Sequence, residues 1–383
     1  MSYPTRILVS LVSLSLWVFS ARVFGTPMVT PSAPTIDAGA YILQDYHSGR
    51  VLAEGKADER MEPASLTKLM TVYVVFSELK EGTIHLEDLA RVSERAWRTQ
   101  GSRMFVEVDK RVPVEQLLKG VIIQSGNDAS VALAEFVAGD EMAFSQLMNH
   151  HAQELGMTNT HFVNATGLPD PDEYTTARDL ATLARAIIRN FPEYYEWHAM
   201  RTFEFNGITQ YNRNKLLWRD QSVDGLKTGH TSSAGYCLVV SAERDGMRLI
   251  SVVLGSQSEA TRAEQSQTLL NYGFRFFESH RLYGANEPLT KVRVWEGTMP
   301  EVELGLTEDL YVTVPRGQYD NLKGNMQLEA KITAPVQKGQ ALGAALIKFG
   351  DEQIAERPLV ALQMVAEGSL WQRLTDQIRL YFQ

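Results

Sequence analysis

The segment that most constrains the fold runs from Pro63 to about Lys80 and is apolar around its whole circumference. Its apolar residues surround the helix instead of lining one stripe: Leu66, Leu69, Met70, Val72, Val74, Val75, Phe76 and Leu79. A helix at a protein surface keeps one polar face, whereas a helix that is apolar all round is buried. We therefore expect a central helix that the other elements of a sizeable domain enclose.

The order of secondary-structure patterns sets this helix inside an α+β domain. Residues 39–46 and 51–54 read as two strands joined by the turn His47-Ser48-Gly49-Arg50. Helical patterns follow at residues 114–124, 129–138, 141–155 and 177–189. Strand patterns return at residues 202–206, 225–229, 235–242 and 247–254, and a helix at 260–278 closes the region. Strands, then helices, then strands predict an α+β domain with a helical insert, at residues 35–285.

A change of composition near residue 285 marks a second unit. Residues 288–367 form short alternating segments, such as Val292-Arg293-Val294-Trp295, punctuated by Gly and Pro. This pattern predicts a small all-β, sandwich-like domain. Residues 369–383 then form an amphipathic helix rich in aromatic side chains. Such a helix either packs on the β domain or lies at a membrane surface, and its position after a complete domain favours a membrane anchor.

The first 25 residues have the features of a secretory signal peptide. Arg6 precedes an apolar run at residues 7–19, and Val23-Phe24-Gly25 offers small residues for cleavage. Removal of Arg6 and Arg22 with this segment changes the net charge from −9 to −11. An acidic chain without clusters of Lys and Arg is not expected to bind nucleic acid.

The chain contains one cysteine and no metal-binding motif. Cys237 lies in the apolar run Tyr236-Cys237-Leu238-Val239-Val240, and no basic neighbour in the sequence would activate it. We interpret it as a buried strand residue outside any internal disulfide. The eight histidines lack the spacing of a zinc motif such as H-E-x-x-H. We therefore expect neither a metal nor another cofactor.

Ser65-Leu66-Thr67-Lys68 begins the central helix and pairs a nucleophile with a base. Positions i and i+3 share a helix face, so the hydroxyl of Ser65 can meet the amine of Lys68. A serine hydroxyl is a weak nucleophile until a base removes its proton, and lysine can be that base only if its pKa is lowered. Burial and the positive end of the helix both lower it. The same helix end can present the Ser65 N–H to an oxyanion.

Two further segments supply complementary groups. In Ser125-Gly126-Asn127, between two helical patterns, the serine can relay a proton to a leaving amine, and the asparagine can orient Lys68 and hold a substrate amide. Lys227-Thr228-Gly229 ends a strand pattern and offers a cation and a hydroxyl to a carboxylate. Its glycine lets a substrate backbone lie along the strand edge. Each segment alone is common, but the three in this order are the signature of penicillin-binding proteins and class A β-lactamases.

In their wider context these segments closely resemble the low-molecular-mass penicillin-binding proteins, the serine D-Ala-D-Ala carboxypeptidases. The segments that carry the resemblance are Pro63-Ala64-Ser65-Leu66-Thr67-Lys68-Leu69-Met70-Thr71, Gln124-Ser125-Gly126-Asn127-Asp128-Ala129 and Asp224-Gly225-Leu226-Lys227-Thr228-Gly229-His230-Thr231. Further similarity at residues 272–277 and 357–360 extends it from about Ala38 to the C-terminus. The resemblance implies a penicillin-binding, β-lactamase-like transpeptidase fold, in which helices flank an antiparallel sheet.

The resemblance also implies roles for individual residues. Ser65 would form the acyl-enzyme, Lys68 would be the base, and the N–H groups of Ser65 and His230 would bind the oxyanion. The catalytic set would comprise Ser65, Lys68, Ser125, Asn127 and Lys227. The substrate-binding set would comprise Lys227, Thr228, Gly229, His230, Thr231 and Arg262, with Arg262 directed to the substrate carboxylate.

The implied reaction removes the terminal D-Ala from the peptidoglycan pentapeptide. The expected partners are the peptidoglycan stem peptide, β-lactam antibiotics that acylate Ser65, and a membrane surface bound by the C-terminal helix. The expected location is the periplasmic face of the bacterial inner membrane, with peripheral attachment. Two features depart from the family: the segment between Trp97 and Phe105 is short, and Thr166 stands where some members carry His.

Alternative functions share parts of this apparatus. A class A β-lactamase would carry a glutamate in an E-x-x-L-N element about 35 to 45 residues after Asn127. Gly167-Leu168-Pro169-Asp170-Pro171-Asp172-Glu173 occupies that window without such an element, so efficient β-lactam hydrolysis is not expected. A D,D-endopeptidase that cuts cross-links would use the whole apparatus and remains an alternative. A catalytically weak penicillin-binding morphology protein is another, although the intact catalytic set argues against it.

Overall fold

A computed structural model describes residues 30–381 of the chain, so the predicted signal peptide at residues 1–25 lies outside the described residues. The helices are α1 (Lys68–Glu81), α2 (Glu94–Arg98), α3 (Val114–Lys119), α4 (Asn127–Ala138), α5 (Glu141–Glu154), α6 (Ala177–Asn190), α7 (Pro192–Tyr195), α8 (Leu216–Arg219), α9 (Glu259–Phe276) and α10 (Leu370–Tyr381). The strands of the first unit are β1 (Ala40–Asp45), β2 (Val51–Gly55), β3 (Leu89–Arg91), β4 (Arg111–Pro113), β5 (Thr202–Phe205), β6 (Ile208–Tyr211), β7 (Val223–Thr231), β8 (Gly235–Arg244) and β9 (Met247–Ser256). The remaining strands are β10 (Phe277–Tyr283), β11 (Thr290–Trp295), β12 (Glu301–Gly305), β13 (Leu310–Pro315), β14 (Leu322–Leu328), β15 (Ile332–Thr333), β16 (Ala341–Phe349) and β17 (Glu352–Ala361).

An antiparallel sheet of five strands, in the order β2-β1-β9-β8-β7, organises the first unit. Side chains alternate between its two faces, as the pleat of a strand requires. On β9, Ile250 and Val252 join the core shared with α1, α4, α5 and α6, whereas Leu249 and Val253 join a second core beneath α9. The strands are therefore buried on both sides, and the sheet lies between two helical layers.

The central helix is buried over its first nine residues, and only its last turn reaches the surface. Nine consecutive residues of α1, from Lys68 to Phe76, are buried. The helix ends at Gly82, whose φ of 76° is the left-handed conformation that glycine adopts most readily. Its start differs in detail from the sequence prediction, because Ala64–Thr67 form one tight 3-10 turn and the α-helical hydrogen bonds begin only at Lys68.

A residue in the left-handed conformation, Ser125, leads into the buried helix α4. A π-helical turn at Gly120–Gln124 ends at Ser125, whose φ of 66° turns the chain sharply, and α4 then begins at Asn127. The side chain of Asp128 accepts hydrogen bonds from the backbone N–H groups of residues 104, 105 and 106. This carboxylate therefore fixes the short segment after Trp97 against the start of α4.

The second unit is built from strands, as predicted. A six-stranded sheet, in the order β14-β16-β17-β12-β11-β15, is antiparallel except for the β11–β15 pair, and its apolar face forms a separate core. The helix predicted at residues 260–278 ends at Phe276, and the chain enters β10 at the next residue. β10 pairs antiparallel with β13 of the second unit. The fold prediction of a transpeptidase-like α+β domain, an all-β domain and a terminal helix is confirmed by these elements together with the similarities reported below.

Several contacts join the two units beside the β10–β13 pair. The hydroxyls of Ser48 and Thr313 lie 2.6 Å apart, and Arg50 donates to the backbone carbonyl of Thr313. Arg189 of α6 forms an ion pair with Glu308. The β1–β2 turn and α6 are therefore both attached to the second unit.

The terminal helix α10 docks through its polar side. Asp376 accepts a hydrogen bond from the backbone N–H of Glu296, and Arg373 forms ion pairs with Glu296 and Glu367. Its apolar side chains are exposed: Leu370, Trp371, Leu374 and Ile378 are 50–81% accessible. Among the described residues we find no helix with the length and apolarity needed to cross a membrane.

Candidate active site

The hydroxyl of Ser65 and the amine of Lys68 meet, as their spacing predicted. The two atoms lie 3.2 Å apart, on the 3-10 turn and the first residue of α1. Lys68 has no exposed surface, and its Nζ also donates to the backbone carbonyl of Thr166. A lysine amine with a hydroxyl on one side and a carbonyl on the other is positioned to exchange a proton with Ser65.

Burial makes Lys68 a base near neutral pH. Removal of the ammonium from water disfavours its charged form and lowers the pKa of Lys68 to about 7. The negative charge of Glu173 opposes this shift, and the positive charge of Arg213 adds to it. Near neutral pH the neutral form of Lys68, which can accept a proton, is therefore accessible.

A second buried lysine contacts the second serine. Nζ of Lys227 donates to Oγ of Ser125 at 2.9 Å and to the Thr228 carbonyl at 3.0 Å. Burial lowers the pKa of Lys227 well below its usual value, and the like charge of Lys68 lowers it further. Each lysine is thus buried behind a serine hydroxyl, with Ser65 and Ser125 facing the same cavity.

That cavity, of about 260 Å³, collects most of the residues singled out in the sequence. Its walls include Ser65, Ser125, Asn127, Thr228, Gly229, His230, Thr231 and Arg262. Three segments that lie far apart in the sequence therefore converge on one space. The cavity is large enough for the end of a peptide, and its walls carry hydroxyl, amide and guanidinium groups.

The strand β7 forms one wall of the cavity. It packs closely on the 3-10 turn Ala64–Thr67, which carries Ser65 and is called the nucleophile turn. A Cβ on Gly229 would lie 3.1 Å from the carbonyl oxygen of Pro63, so the glycine permits the approach of the two backbones. Arg262 of α9 is buried, and its Nη1 donates to the Gly229 carbonyl at 2.9 Å. Its Nη2 lies 3.6 Å from Glu259. Arg262 thus braces the strand and also presents positive charge to the cavity.

Asn127 contacts a different neighbour from the one expected. Its Nδ2 donates to the carbonyl of Gln100 at 2.6 Å, and no hydrogen bond to Lys68 occurs among the described residues. Its buried Oδ1 has no partner in the described part of the chain. Asn127 lines the cavity, and its Oδ1 retains the capacity to accept one further hydrogen bond.

Several cavity residues were not identified from the sequence. Arg213 lines the cavity and donates to the hydroxyl of Ser102 at 2.9 Å, while Tyr236 and Glu259 complete the wall near Arg262. These residues belong to no motif, and only the folded chain brings them together. A basic residue in the short polar stretch Asn212-Arg213-Asn214 carries no periodic signal that would have distinguished it from a surface loop.

The turn after Asn164 closes the site from the other side. Gly167 has a φ of 73°, and a Cβ at this position would lie only 1.8 Å from the carbonyl oxygen of Ala64. Thr166, which accepts the hydrogen bond from Lys68, immediately precedes it. The nucleophile turn is therefore held between two glycines, Gly167 and Gly229.

Comparisons with known proteins assign this arrangement to a family. Residues 28–258 match the model of the D-alanyl-D-alanine carboxypeptidase family, and residues 277–367 match the model of the penicillin-binding protein 5 C-terminal domain. The chain belongs to the D-alanyl-D-alanine carboxypeptidases, the peptidases of family S11. The predicted family, fold class and serine-type carboxypeptidase activity on peptidoglycan are thereby confirmed.

Individual relatives match most of the chain or a part of it. The D-alanyl-D-alanine carboxypeptidase DacC of Escherichia coli is 46% identical, over 97% of this chain and 94% of the relative. The crystal structure of penicillin-binding protein 5 from Haemophilus influenzae covers 88% of this chain and 100% of its own, with a TM-score of 0.84 and 41% identity. The ampicillin-bound penicillin-binding protein D2 of Listeria monocytogenes covers 62% of this chain and 98% of its own, with a TM-score of 0.58 and 31% identity.

The close contact at Gly167 predicts that a side chain at this position destabilises the fold. We expect Gly167→Ala to cost about 1–2 kcal/mol of left-handed backbone strain and about 1–3 kcal/mol of overpacking against Ala64. Thermal unfolding should show a lower midpoint temperature. The rate of acylation by a fluorescent penicillin should also fall. Gly82→Ala is the matched control, because Gly82 has the same backbone conformation with nothing near its Cβ position. Equal effects of the two substitutions would contradict the packing argument.

Proposed function

We propose that Ser65 attacks the carbonyl of the penultimate D-Ala of a peptidoglycan pentapeptide and that Lys68 accepts the proton of its hydroxyl. The observation that carries this proposal is the buried Lys68 amine, 3.2 Å from Oγ of Ser65 at the edge of the cavity. A base with a pKa of about 7 can take a proton from serine and release it again within one catalytic cycle. The product of the first step is an ester of Ser65 with the shortened peptide.

The N–H groups of Ser65 and His230 are the proposed donors to the oxyanion. Both residues line the cavity, on opposite sides of the narrow space between the nucleophile turn and β7. Preorganised donors at the point where negative charge develops are a large source of catalysis. The close approach at Gly229 supports this assignment, because it brings the β7 backbone against the turn that carries Ser65.

Ser125 and Lys227 are the proposed route for the proton to the leaving group. The hydrogen bond from Lys227 to Ser125 polarises a hydroxyl that faces the cavity. This hydroxyl gives its proton to the amine of the departing D-Ala and takes up the proton that Lys68 received from Ser65, so that Ser125 is unchanged at the end of the step. Asn127 accepts the N–H of the substrate amide through its free Oδ1. Thr228, Thr231 and Arg262 bind the terminal carboxylate, which a hydroxyl-lined, positively charged wall favours.

Water then hydrolyses the ester and regenerates Ser65. A β-lactam presents a strained amide and a carboxylate to the same groups, and we propose that it acylates Ser65. The ampicillin-bound state of the Listeria monocytogenes relative supports this proposal.

The export and membrane attachment of the chain are further parts of the proposal. The signal peptide pattern at residues 1–25 directs the chain out of the cytoplasm, and α10 then holds it peripherally on the periplasmic face of the inner membrane. The orientation of α10 supports this attachment, because its charged side contacts the β domain while Leu370, Trp371, Leu374 and Ile378 are exposed. An exposed apolar helix face of this kind is suited to the boundary between lipid headgroups and acyl chains.

Replacement of the nucleophile tests the reaction. We expect the mature wild type to release D-Ala from a muramyl pentapeptide, and Ser65→Ala to lower the rate by roughly 10⁴-fold or more, because no hydroxyl remains to form the ester. Free D-Ala is measured with D-amino-acid oxidase. Ser77→Ala, at a serine of α1 whose hydroxyl donates to the Tyr73 carbonyl, is the control and keeps full activity. Conversion of cross-linked dimers to monomers, without release of D-Ala from pentapeptide, would favour the endopeptidase. The absence of both reactions would favour the morphology protein.

The state of Lys68 predicts the pH dependence of acylation. Because Lys68 acts as a base only when neutral, the rate of acylation by a fluorescent penicillin should rise with pH through a midpoint near 7. Below this midpoint it should fall by about tenfold for each pH unit. Stopped incubations between pH 5 and 9 measure the profile. A rate that is flat across this range would contradict the role of Lys68 as the base.

The exposed apolar face of α10 predicts which substitutions to a charged residue weaken membrane binding. We expect Leu374→Glu combined with Ile378→Glu to weaken binding to phospholipid vesicles by roughly 100-fold, since each buried side chain contributes about 1.5–3 kcal/mol. Flotation with vesicles of phosphatidylethanolamine and phosphatidylglycerol measures the bound fraction. Gln377→Glu adds one charge to the side that contacts Glu296 and is the control. Unchanged flotation of the double variant, or of a chain that lacks residues 370–383, would show that α10 is not the anchor.

A further inference from the structure

A second cavity, of about 470 Å³, is lined by α2 and has no part in the mechanism given above. Its walls come from the end of β3, the helix α2 and the turn before β4: Arg91, Ser93, Glu94, Trp97, Val108 and Asp109. A volume of this size is typical of sites for small molecules. None of these six residues lines the cavity that contains Ser65, so the two cavities are separate.

The walls of this second cavity combine an aromatic surface with charged side chains. Trp97 is 38% exposed, so part of its side chain is open to a ligand. The carboxylate of Asp109 lies 2.6 Å from the guanidinium of Arg91, and the carboxylate of Glu94 lies 2.7 Å from that of Arg98. The negatively polarised face of an aromatic ring attracts the C–H groups of a sugar ring. Carboxylate and guanidinium groups form hydrogen bonds with its hydroxyls. The side chains of this cavity are therefore those that bind saccharides.

The segment after α2 connects the second cavity to the active site. Gly101 and Ser102 line the catalytic cavity, and Trp97 lies four residues before Gly101. Four residues span at most about 14 Å, which is the upper limit for the distance between the Cα atoms of Trp97 and Gly101. The carbonyl of Ser102 accepts a hydrogen bond from the N–H of Asn127 at 2.7 Å, and Arg103 donates to the carbonyl of Trp97. The segment is therefore fixed, and the two cavities lie a short distance apart.

The proposed orientation of the substrate directs its amino-terminal part toward this segment. Arg262 and the hydroxyls of β7 bind the terminal carboxylate, whereas Asn127 binds an amide on the other side of the scissile bond. Nδ2 of Asn127 donates to the carbonyl of Gln100, and a Cβ on Gly101 would lie 2.6 Å from this Nδ2. A peptide that extends past Asn127 therefore leaves the catalytic cavity beside residues 100–101.

The length of the stem peptide matches the separation of the two cavities. The first residue of a peptidoglycan pentapeptide is joined to a sugar of the glycan strand, and four residues lie between this sugar and the scissile bond. When these residues are extended, they span at most about 14 Å. A sugar at the far end of the bound peptide is therefore within reach of Trp97.

We propose that the cavity at Trp97 binds a sugar ring of the glycan strand to which the substrate peptide is attached. The inference rests on the proposed carboxypeptidase function and deepens it, because it makes a saccharide-linked peptide the preferred substrate. Trp97 packs on the sugar ring, and Arg91, Glu94 and Asp109 bind its hydroxyls. Binding energy from a part of the substrate that does not react can accelerate cleavage at the scissile bond.

A comparison of two substrates tests the proposal. One is the disaccharide pentapeptide of peptidoglycan, and the other is the same pentapeptide without sugar. We expect kcat/KM of the wild type for D-Ala release to be about tenfold higher with the disaccharide pentapeptide, near the lower end of what burial of a large apolar side chain contributes. Trp97→Ala should lower this value by about tenfold and leave the value for the free pentapeptide within about twofold of the wild type.

Two further variants separate the saccharide site from the fold. Trp218→Ala is the matched control and should keep the full preference, because Trp218 of α8 is 45% exposed and lines neither cavity. Asp109→Asn should reduce the preference several-fold, since it removes a charged hydrogen-bonding group from the cavity. Asparagine tolerates the φ of 63° at this position, so this variant carries the test if Trp97→Ala does not fold.

Binding of the disaccharide without peptide gives a measurement that does not depend on catalysis. We expect Ser65→Ala to bind the disaccharide of N-acetylglucosamine and N-acetylmuramic acid, as followed by titration calorimetry. The double variant Ser65→Ala/Trp97→Ala should bind it about tenfold more weakly, and Ser65→Ala/Trp218→Ala should bind it as Ser65→Ala does.

Two outcomes would overturn the proposal. One is an equal kcat/KM of the wild type for the two substrates. The other is a loss in Trp97→Ala by the same factor on both substrates, which would show that Trp97 only supports the fold. Failure of the proposed function has a different signature, because the wild type would then release D-Ala from neither substrate while Ser65→Ala would still bind the disaccharide.

Discussion

The burial of one lysine amine against a serine hydroxyl is the constraint on which the rest of this structure depends. An ammonium group in an apolar interior is unstable unless it loses its proton or finds partners. Lys68 has both options, because the Thr166 carbonyl and the Ser65 hydroxyl are within hydrogen-bonding range of its amine. The apolar helix α1 and the two glycines beside the turn that precedes it keep this amine away from water and in position. Catalysis and folding therefore impose the same requirements on this part of the chain.

Much of the fold could be predicted because its signals are local. The enclosed helix α1, the hairpins of the sheet and the terminal helix each have a periodicity that is visible within ten to twenty residues. The elements that were missed are short and show no period; β6, for example, has four residues, and α8 is a single turn. The end of α9 was placed two residues too late, because Phe277 continues the apolar pattern of the helix although it already belongs to β10.

In the candidate site, too, the residues with a local sequence signal could be predicted and the others could not. The motif residues could be identified because each lies within a short recognisable segment. The groups that tune them could not, because their contacts join residues that are 98 and 106 positions apart, Lys68 with Thr166 and Thr67 with Glu173. A backbone acceptor such as the Thr166 carbonyl cannot be identified from a sequence, because every residue has a carbonyl group. Asn127 shows that a motif residue can also have a different partner from the expected one. Its motif indicated a contact with Lys68, whereas in the structure its Nδ2 donates to the carbonyl of Gln100.

The direct passage from α9 into β10 has a consequence for where this enzyme can work. No linker separates Phe276 from Phe277, and the β10–β13 pair, Ser48 and Arg50 tie the two units at several points. Because no flexible linker joins its catalytic unit to its β unit, the chain acts as a spacer of fixed length. With α10 on a lipid surface, the opening of the cavity would stay at one height above that surface, and only stem peptides in the layer of cell wall at that height would come within reach.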